Sequence, residues 1–344
     1  MAMARSVRKS HAIAIAVIGL LILFCAARAP AQTTPPTPQA SPALLPPVPA
    51  PPVPTELFLY DPHQPLDVAD SLVATRDGVT IHDITFASPK GGRVPAYLVV
   101  PQGKGPFAAV VFGHWGQGNR TEFLPEAILY ARAGAVSVLI GYPWTRPEPW
   151  RRSLQYMANP ENDLEAYAQA VIDLRRAIDL LLERGDVDPA RIAYVGHSYG
   201  AQWGAILAAV DKRMKTCILA GGIPDAASIW REGDDPDIVE ARRTVPPAAM
   251  DRYLSVLTPL DAVRYVPYAA RVSLLFQFAR FERNFKEPAM RRYAAAASEP
   301  KTVLWYDTGH DLNDVRALID RAAWLRERIG IQDIGVRAPA QVGD

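Results

Sequence analysis

The sequence predicts an α/β domain over residues 56–335, a mainly parallel central sheet with helices on both faces. Three observations carry this. Short apolar runs of strand length alternate with stretches whose apolar residues recur at helical spacing, the pattern of a parallel sheet crossed by helices. At 49% hydrophobic and 21% charged, the 344 residues have the composition of a globular chain long enough to bury a full core. Finally, in "IAYVGHSYGAQWGAILAAV", residues 192–210, a strand-like run passes into a helix-like one through a bend carrying Gly196, Ser198 and Gly200.

Taken in order, 79–86 (VTIHDITF) and 93–100 (RVPAYLVV), separated by ASPKGG, read as an opening hairpin. Residues 107–113 (FAAVVFG) are a buried strand, 121–132 a helix and 135–141 (AVSVLIG) the next strand. The clearest helix is 163–184, where Leu164, Tyr167, Val171, Leu174, Ile178 and Leu181 step by three or four along one face. Asn162 and Glu165 have the spacing of a capping box, and Gly185 stands where a C-cap glycine belongs. Asp186-Val187-Asp188-Pro189 reads as a turn ahead of the strand at 192–195. Trp203, Ile206, Leu207 and Val210 then mark a helix, followed by strands at 215–221, 271–278 and 301–307 and a closing helix at 313–328. Nearly fifty residues separate the strands at 215–221 and 271–278, too many for an ordinary connection. Residues 223–268 are therefore expected to be a helical cap insertion, with Ile229, Trp230, Met250, Tyr253, Leu254 and Leu257 available to line a pocket wall.

The N-terminus is different in kind. Arg5, Arg8 and Lys9 precede the uncharged run 12–27 and then Ala29-Pro30-Ala31, which together read as an export signal over residues 1–31. The run is short for a membrane span, so a membrane becomes a partner only if this segment stays uncleaved as an anchor. Residues 30–54 hold eleven prolines, and 32–55 is expected to be an extended linker. Residues 336–344 read as a C-terminal tail. Without residues 1–31 the chain has 33 basic and 36 acidic residues and no basic run, which argues against nucleic acid as a partner. Only Cys217 then remains, which excludes an intrachain disulfide and suits a periplasmic or secreted bacterial-type protein. The six histidines have no metal-ligand spacing, so no metal is expected, and the serine chemistry read below implies no cofactor.

The bend at Ser198 has the letters of a G-x-S-x-G nucleophile elbow, "GHSYG", in the strand–turn–helix context that such an elbow needs. A serine hydroxyl is a weak nucleophile at neutral pH and requires a base, itself oriented by an acid. Elbow serines have these partners in the chain order serine, acid, histidine. His310, in "YDTGHDLND" just past the last strand, is the expected base; His197, adjoining the serine, is read as structural. Glu282, in the loop after 271–278, is the expected acid, with Asp261 and Asp307 as alternatives. Two donors for a developing oxyanion are expected from the backbone N–H of Tyr199 and from "GHWGQGNR", at Trp115 or Gly116.

Through "GHSYG", "FQFARFE" and "TGHDLN", residues 75–330 resemble the α/β-hydrolase superfamily, in the neighbourhood of dienelactone-hydrolase-like and prolyl-oligopeptidase-like catalytic domains. Members usually carry G-x-x-D where this chain has Ala279-Arg280-Phe281-Glu282, so glutamate replaces the usual aspartate. The resemblance implies an α/β-hydrolase fold and a serine hydrolase that cleaves carboxylic esters of small acyl substrates through an acyl-serine intermediate. A peptidase or amidase, an acyltransferase, and a silent hydrolase-like binding protein are the rival readings. The tryptophans Trp144, Trp150 and Trp230 are expected in an aromatic substrate pocket, with Arg146, Arg151 or Arg152 available for an acidic group.

Overall fold

The computed structural model describes residues 53–337, so the expected export signal, most of the linker and most of the tail lie outside the described residues. Nine strands form one sheet: β1 (Ala69–Arg76), β2 (Val79–Ala87), β3 (Arg93–Pro101), β4 (Phe107–Gly113), β5 (Ala135–Ile140), β6 (Val187–His197), β7 (Thr216–Ala220), β8 (Ser273–Ala279) and β9 (Lys301–Tyr306). Their order is β1-β2-β3-β5-β4-β6-β7-β8-β9. The first three strands and β5 pair antiparallel, and every neighbour from β5 to β9 is parallel. The helices are α1 (Leu124–Arg132), α2 (Pro160–Glu183), α3 (Tyr199–Val210), α4 (Ala226–Trp230), α5 (Pro236–Thr244), α6 (Pro247–Leu257), α7 (Glu287–Ala296) and α8 (Val315–Ile329).

The period-two alternation of β4 divides the core into two layers. Ala108, Val110 and Phe112 pack with Phe123 at the start of α1, with Tyr130 of α1 and with Trp324 and Leu325 of α8. Ala109 and Val111 face the other way, towards Val171 and Leu174 of α2 and Ala205 and Ile206 of α3. Both faces of the central strands are thereby covered, which is why their sequences are continuously apolar rather than alternating.

Two local expectations are corrected, and two elements appear where the sequence assigned none. The edge strand β1 precedes the expected hairpin; its residues are almost all exposed, and its ladder to β2 rather than burial defines it. Helix α2 starts at Pro160, because the Asn159 side chain accepts the Asn162 N–H at 3.3 Å and proline suits the first helical position. The Asn162–Glu165 box does not form. Gly185 is not left-handed; the chain must run straight into β6, since the Asp186 carbonyl accepts the Phe107 N–H at 2.8 Å and Val187 already pairs with Phe107. Helix α7 fills a stretch to which the sequence assigned no element. It exposes most of its charged residues and buries Ala289, Met290, Tyr293 and Ala294.

Residues 223–268 contain α4, α5, α6 and three short 3₁₀ turns. Asp225 and Asp235 cap α4 and α5 by accepting the N–H groups of Ser228 and Asp237 at 2.7 and 3.0 Å. Helix α6 turns Met250, Tyr253, Leu254 and Leu257 into the α2/α3 side of the core.

Candidate active site

The turn from β6 into α3 places Ser198 at φ +55°, ψ −115°, a strained conformation for a residue with a side chain. The tight turn demands small neighbours. A Cβ on Gly196 would lie 2.4 Å from the Gly200 carbonyl carbon and oxygen, and one on Gly200 would lie 2.0 Å from the Gly113 carbonyl oxygen. One turn on, a Cβ at Gly204 would meet the Tyr194 ring at 2.3 Å. The Ser198 N–H donates to the Ala220 carbonyl at 2.8 Å, tying the elbow to β7. Ser198 is 6% exposed.

His310 reaches this serine from the loop after β9. Its Nε2 lies 2.8 Å from Ser198 Oγ, and its Nδ1 lies 2.6 Å from Glu282 Oε2. The other Glu282 oxygen accepts from the backbone N–H groups of Arg283 and Asn284 at 2.9 and 2.8 Å and from Asn284 Nδ2 at 3.1 Å. Those bonds fix one oxygen in the loop and leave the other for the histidine. The β8–β9 pairing continues past the strand ends, with the Arg280 N–H on the Tyr306 carbonyl and the Phe281 N–H on the Thr308 carbonyl, and so fixes the two loops in register. The Phe285 ring meets the His310 ring edge to face at 5.9 Å. The alternatives for the acid lie elsewhere. Asp307 is exposed and pairs with Arg280, while Asp261 accepts the Ala226 N–H at 3.0 Å within the insertion.

On the other side of Ser198 stands the loop after β4. The Trp115 N–H donates to Glu122 Oε2 at 2.7 Å, so it is not directed at the serine. Gly116 is different: among the described residues its N–H has no hydrogen-bond acceptor. The Trp115 carbonyl, in the same peptide unit, accepts from His114 Nδ1 at 2.6 Å and from the Gly118 N–H at 3.1 Å. A trans peptide points its N–H opposite to its carbonyl, so these two bonds aim the Gly116 N–H away from them. Burial lowers the His114 pKa to about 4; the neutral ring donates from Nδ1 and accepts the Tyr142 N–H at Nε2. Trp144 Nε1 holds the Gly116 carbonyl at 2.7 Å, and the Tyr199 ring lies where a Gly116 Cβ would go, 2.7 Å away. The Tyr199 N–H, in the first turn of α3, has no intrahelical acceptor.

Glu122 went unnoticed in the sequence, where a lone acid in a turn carries no spacing signal. Its Oε1 lies 2.7 Å from His197 Nδ1, and His197 Nε2 lies 2.9 Å from the His310 carbonyl. A carbonyl only accepts, so His197 is protonated at Nε2. Glu122 and His197 thus connect the loop bearing Gly116 to the loop bearing His310.

Of the three expected pocket tryptophans, Trp230 lines a cleft beside Tyr199, and Trp144 braces the Gly116 loop. Trp150 instead lies over Gly92 in the β2–β3 turn. Arg146 is fully buried in an ion pair with Asp173, and Arg152 pairs with Glu165 at 2.8 Å.

No family model matches this chain, and no curated protein matches its sequence. Solved structures do. An acetyl xylan esterase from Paenibacillus sp. R4 superposes with a TM-score of 0.65 at 20% identity, over 80% of this chain and 92% of that one. Acetyl xylan esterase 1 from Thermoanaerobacterium sp. JW/SL YS485 gives 0.65 at 16% identity, over 78% and 89%. A prolyl endopeptidase gives 0.58 at 17% identity, over 76% of this chain and 40% of that one.

Proposed function

We propose, starting from the α/β-hydrolase fold that this chain has, that it is an exported serine hydrolase acting on carboxylic esters. One observation carries the reading: the hydrogen-bonded line Glu282–His310–Ser198, beside two backbone N–H groups without acceptors. In this reading Ser198 Oγ attacks the acyl carbon as its proton passes to His310 Nε2, and Glu282 stabilises the resulting imidazolium. The carbonyl oxygen becomes an oxyanion held by the N–H groups of Tyr199 and Gly116, each worth about 3–4 kcal/mol if removed. His310 gives its proton to the leaving alcohol, then activates a water that releases the acid and restores Ser198. Residues 223–268 act as a cap, since Trp230, Tyr253 and Leu257 of this insertion line the cleft beside Tyr199. The acetyl xylan esterases are matched over 92% and 89% of their own length and the prolyl endopeptidase over 40%, which supports an ester over a peptide.

The test is labelling of the purified protein with a fluorophosphonate, followed by turnover of chromogenic esters of graded acyl length. Wild type should label and turn over short esters. Ser198→Ala should do neither while keeping its thermal unfolding transition, and labelling of that variant would end the proposal.

A further inference from the structure

The sheet has two outer edges, β1 and β9, and they are built differently. β1 shifts its register between Leu72 and Ala74 and carries Asp70 and Arg76 along its exposed length. Bulges and charges of this kind are how natural sheets turn away other strands. β9 has neither device. Its pairing is regular, and after Lys301 it runs Thr302, Val303, Leu304, Trp305 and Tyr306 without a charge, the first four of these half-buried.

The bonding of β9 to β8 shows which backbone groups remain free. The Leu274 N–H donates to the Pro300 carbonyl at 3.0 Å and the Arg280 N–H to the Tyr306 carbonyl at 2.9 Å, so the even-numbered residues of β9 turn their backbone groups towards β8. Val303 and Trp305 turn theirs outwards, and among the described residues no backbone or side chain meets them. Lys301 also faces out, but its N–H is taken by Glu299 Oε2 at 3.0 Å. One sheet face beside this edge is open as well. Helix α8 is seated over β7, where Trp324 Nε1 donates to Thr216 Oγ1 at 2.6 Å, and it leaves an apolar groove along β9 lined by Leu275, Thr302, Leu304 and Ala323.

The residues of β9 select the partner. Residues opposite one another in an antiparallel pair lie on the same face, so a second copy can pair with β9 about a two-fold axis through one residue. With the axis at Leu304, Val303 meets Trp305 of the second copy, Thr302 meets Tyr306, and Lys301 meets Asp307, of opposite charge. An ammonium has three donors, so Lys301 can reach that carboxylate while it donates to the Ala297 carbonyl at 2.5 Å. With the axis at Val303, Asp307 would face Glu299, a like charge.

We infer that β9 pairs with β9 of a second copy, antiparallel about Leu304, and joins the two sheets into one in a symmetric dimer. Each Val303–Trp305 pair exchanges both N–H···O=C bonds, and the Leu304 side chains meet on the axis. The inference is independent of the hydrolase reading, although the paired strand is the one that runs into the His310 loop.

Analytical ultracentrifugation of wild type at micromolar concentration should give twice the mass of one chain, and a monomer would overturn the inference. Leu304 stands opposite itself at a non-hydrogen-bonded position, where Cα atoms lie about 4.5 Å apart, within disulfide reach. Leu304→Cys should therefore form a covalent dimer on mild oxidation, whereas Val303→Cys, opposite Trp305, should not. Equal cross-linking of both variants, or of neither, would count against the pairing. Leu304→Lys and Leu304→Glu should each sediment as a monomer with the wild-type circular dichroism spectrum, and the two mixed together should form a dimer. A dimer from either alone, or none from the mixture, would overturn the inference.

Discussion

At Glu282, the extra methylene relative to the usual aspartate is accommodated by the loop itself. Two backbone N–H groups and the Asn284 amide hold one oxygen, and the other reaches His310. Glu282→Gln preserves size but leaves the His310 Nδ1–H without an anionic partner. The expected result is a loss of about 10⁴-fold in kcat with KM little changed, read from steady-state hydrolysis of a chromogenic ester. Glu122 makes a subtler prediction. Glu122→Ala removes the acceptor of the Trp115 N–H and the partner of His197, which should lower kcat about 100-fold through displacement of the loop. Glu122→Gln can still accept from Trp115 through its carbonyl and, once His197 Nδ1 gives up its proton, donate to it from its amide. It should therefore remain within about threefold of wild type, since no hydrogen bond is lost. Equal losses in both variants would mean that the charge of Glu122, not its geometry, matters.

Among the elements, the insertion has a pH dependence of its own. Burial raises the carboxyl of Asp261 to about 7, against the pull of the Ala226 N–H it accepts. A carboxyl raised in the folded state keeps a proton that the unfolded chain has lost, so stability falls as pH rises. The window runs from about pH 4, where an unfolded aspartate ionises, to about pH 7, the folded value. Asp261→Asn keeps an oxygen for Ala226 and never ionises. Its melting temperature should match wild type at pH 4, exceed it by a few degrees at pH 8, and diverge between those limits. A difference independent of pH would show that Asp261 ionises normally. The same reasoning explains why Asp261, attractive in the sequence, does not serve His310: it satisfies a helix-start N–H in the insertion instead.

For the molecule as a whole, residues 53–65 form a strap across α2. Phe58 is fully buried and meets Tyr265 edge-on at 6.0 Å. Its carbonyl accepts from Arg175 at 2.7 Å, and the Pro62 and Gln64 carbonyls accept from the buried Arg176 at 3.2 and 2.7 Å. A chain beginning at residue 53 should keep the wild-type melting temperature and ester turnover. One beginning at residue 66 loses a buried aromatic ring and leaves donors of Arg176 unmet. It should be less stable by at least about 3 kcal/mol in urea unfolding. Equal stability would show that the strap only covers the surface.

The parallel sheet, most of its strands and helices, and the bend at Ser198 were readable in the sequence, because each rests on local rules. Apolar runs report burial, helical periodicity reports a face, and glycines either side of a bend report close backbone approach. The polar edge strand β1 was illegible for the same reason, since its ladder needs no apolar signal. The sequence also nominated His310 and Glu282 by position, but it left Asp261 and Asp307 beside Glu282 and Trp115 beside Gly116. Only the tertiary structure separated them. His310 is 112 residues from Ser198 and 28 from Glu282, and what joins them is the register of β8 on β9 and of β6 on β7. Glu122 bonds to Trp115 seven residues before it and to His197 seventy-five residues after it. Such a bond depends on where two loops meet above the sheet, and no spacing along the chain encodes that meeting.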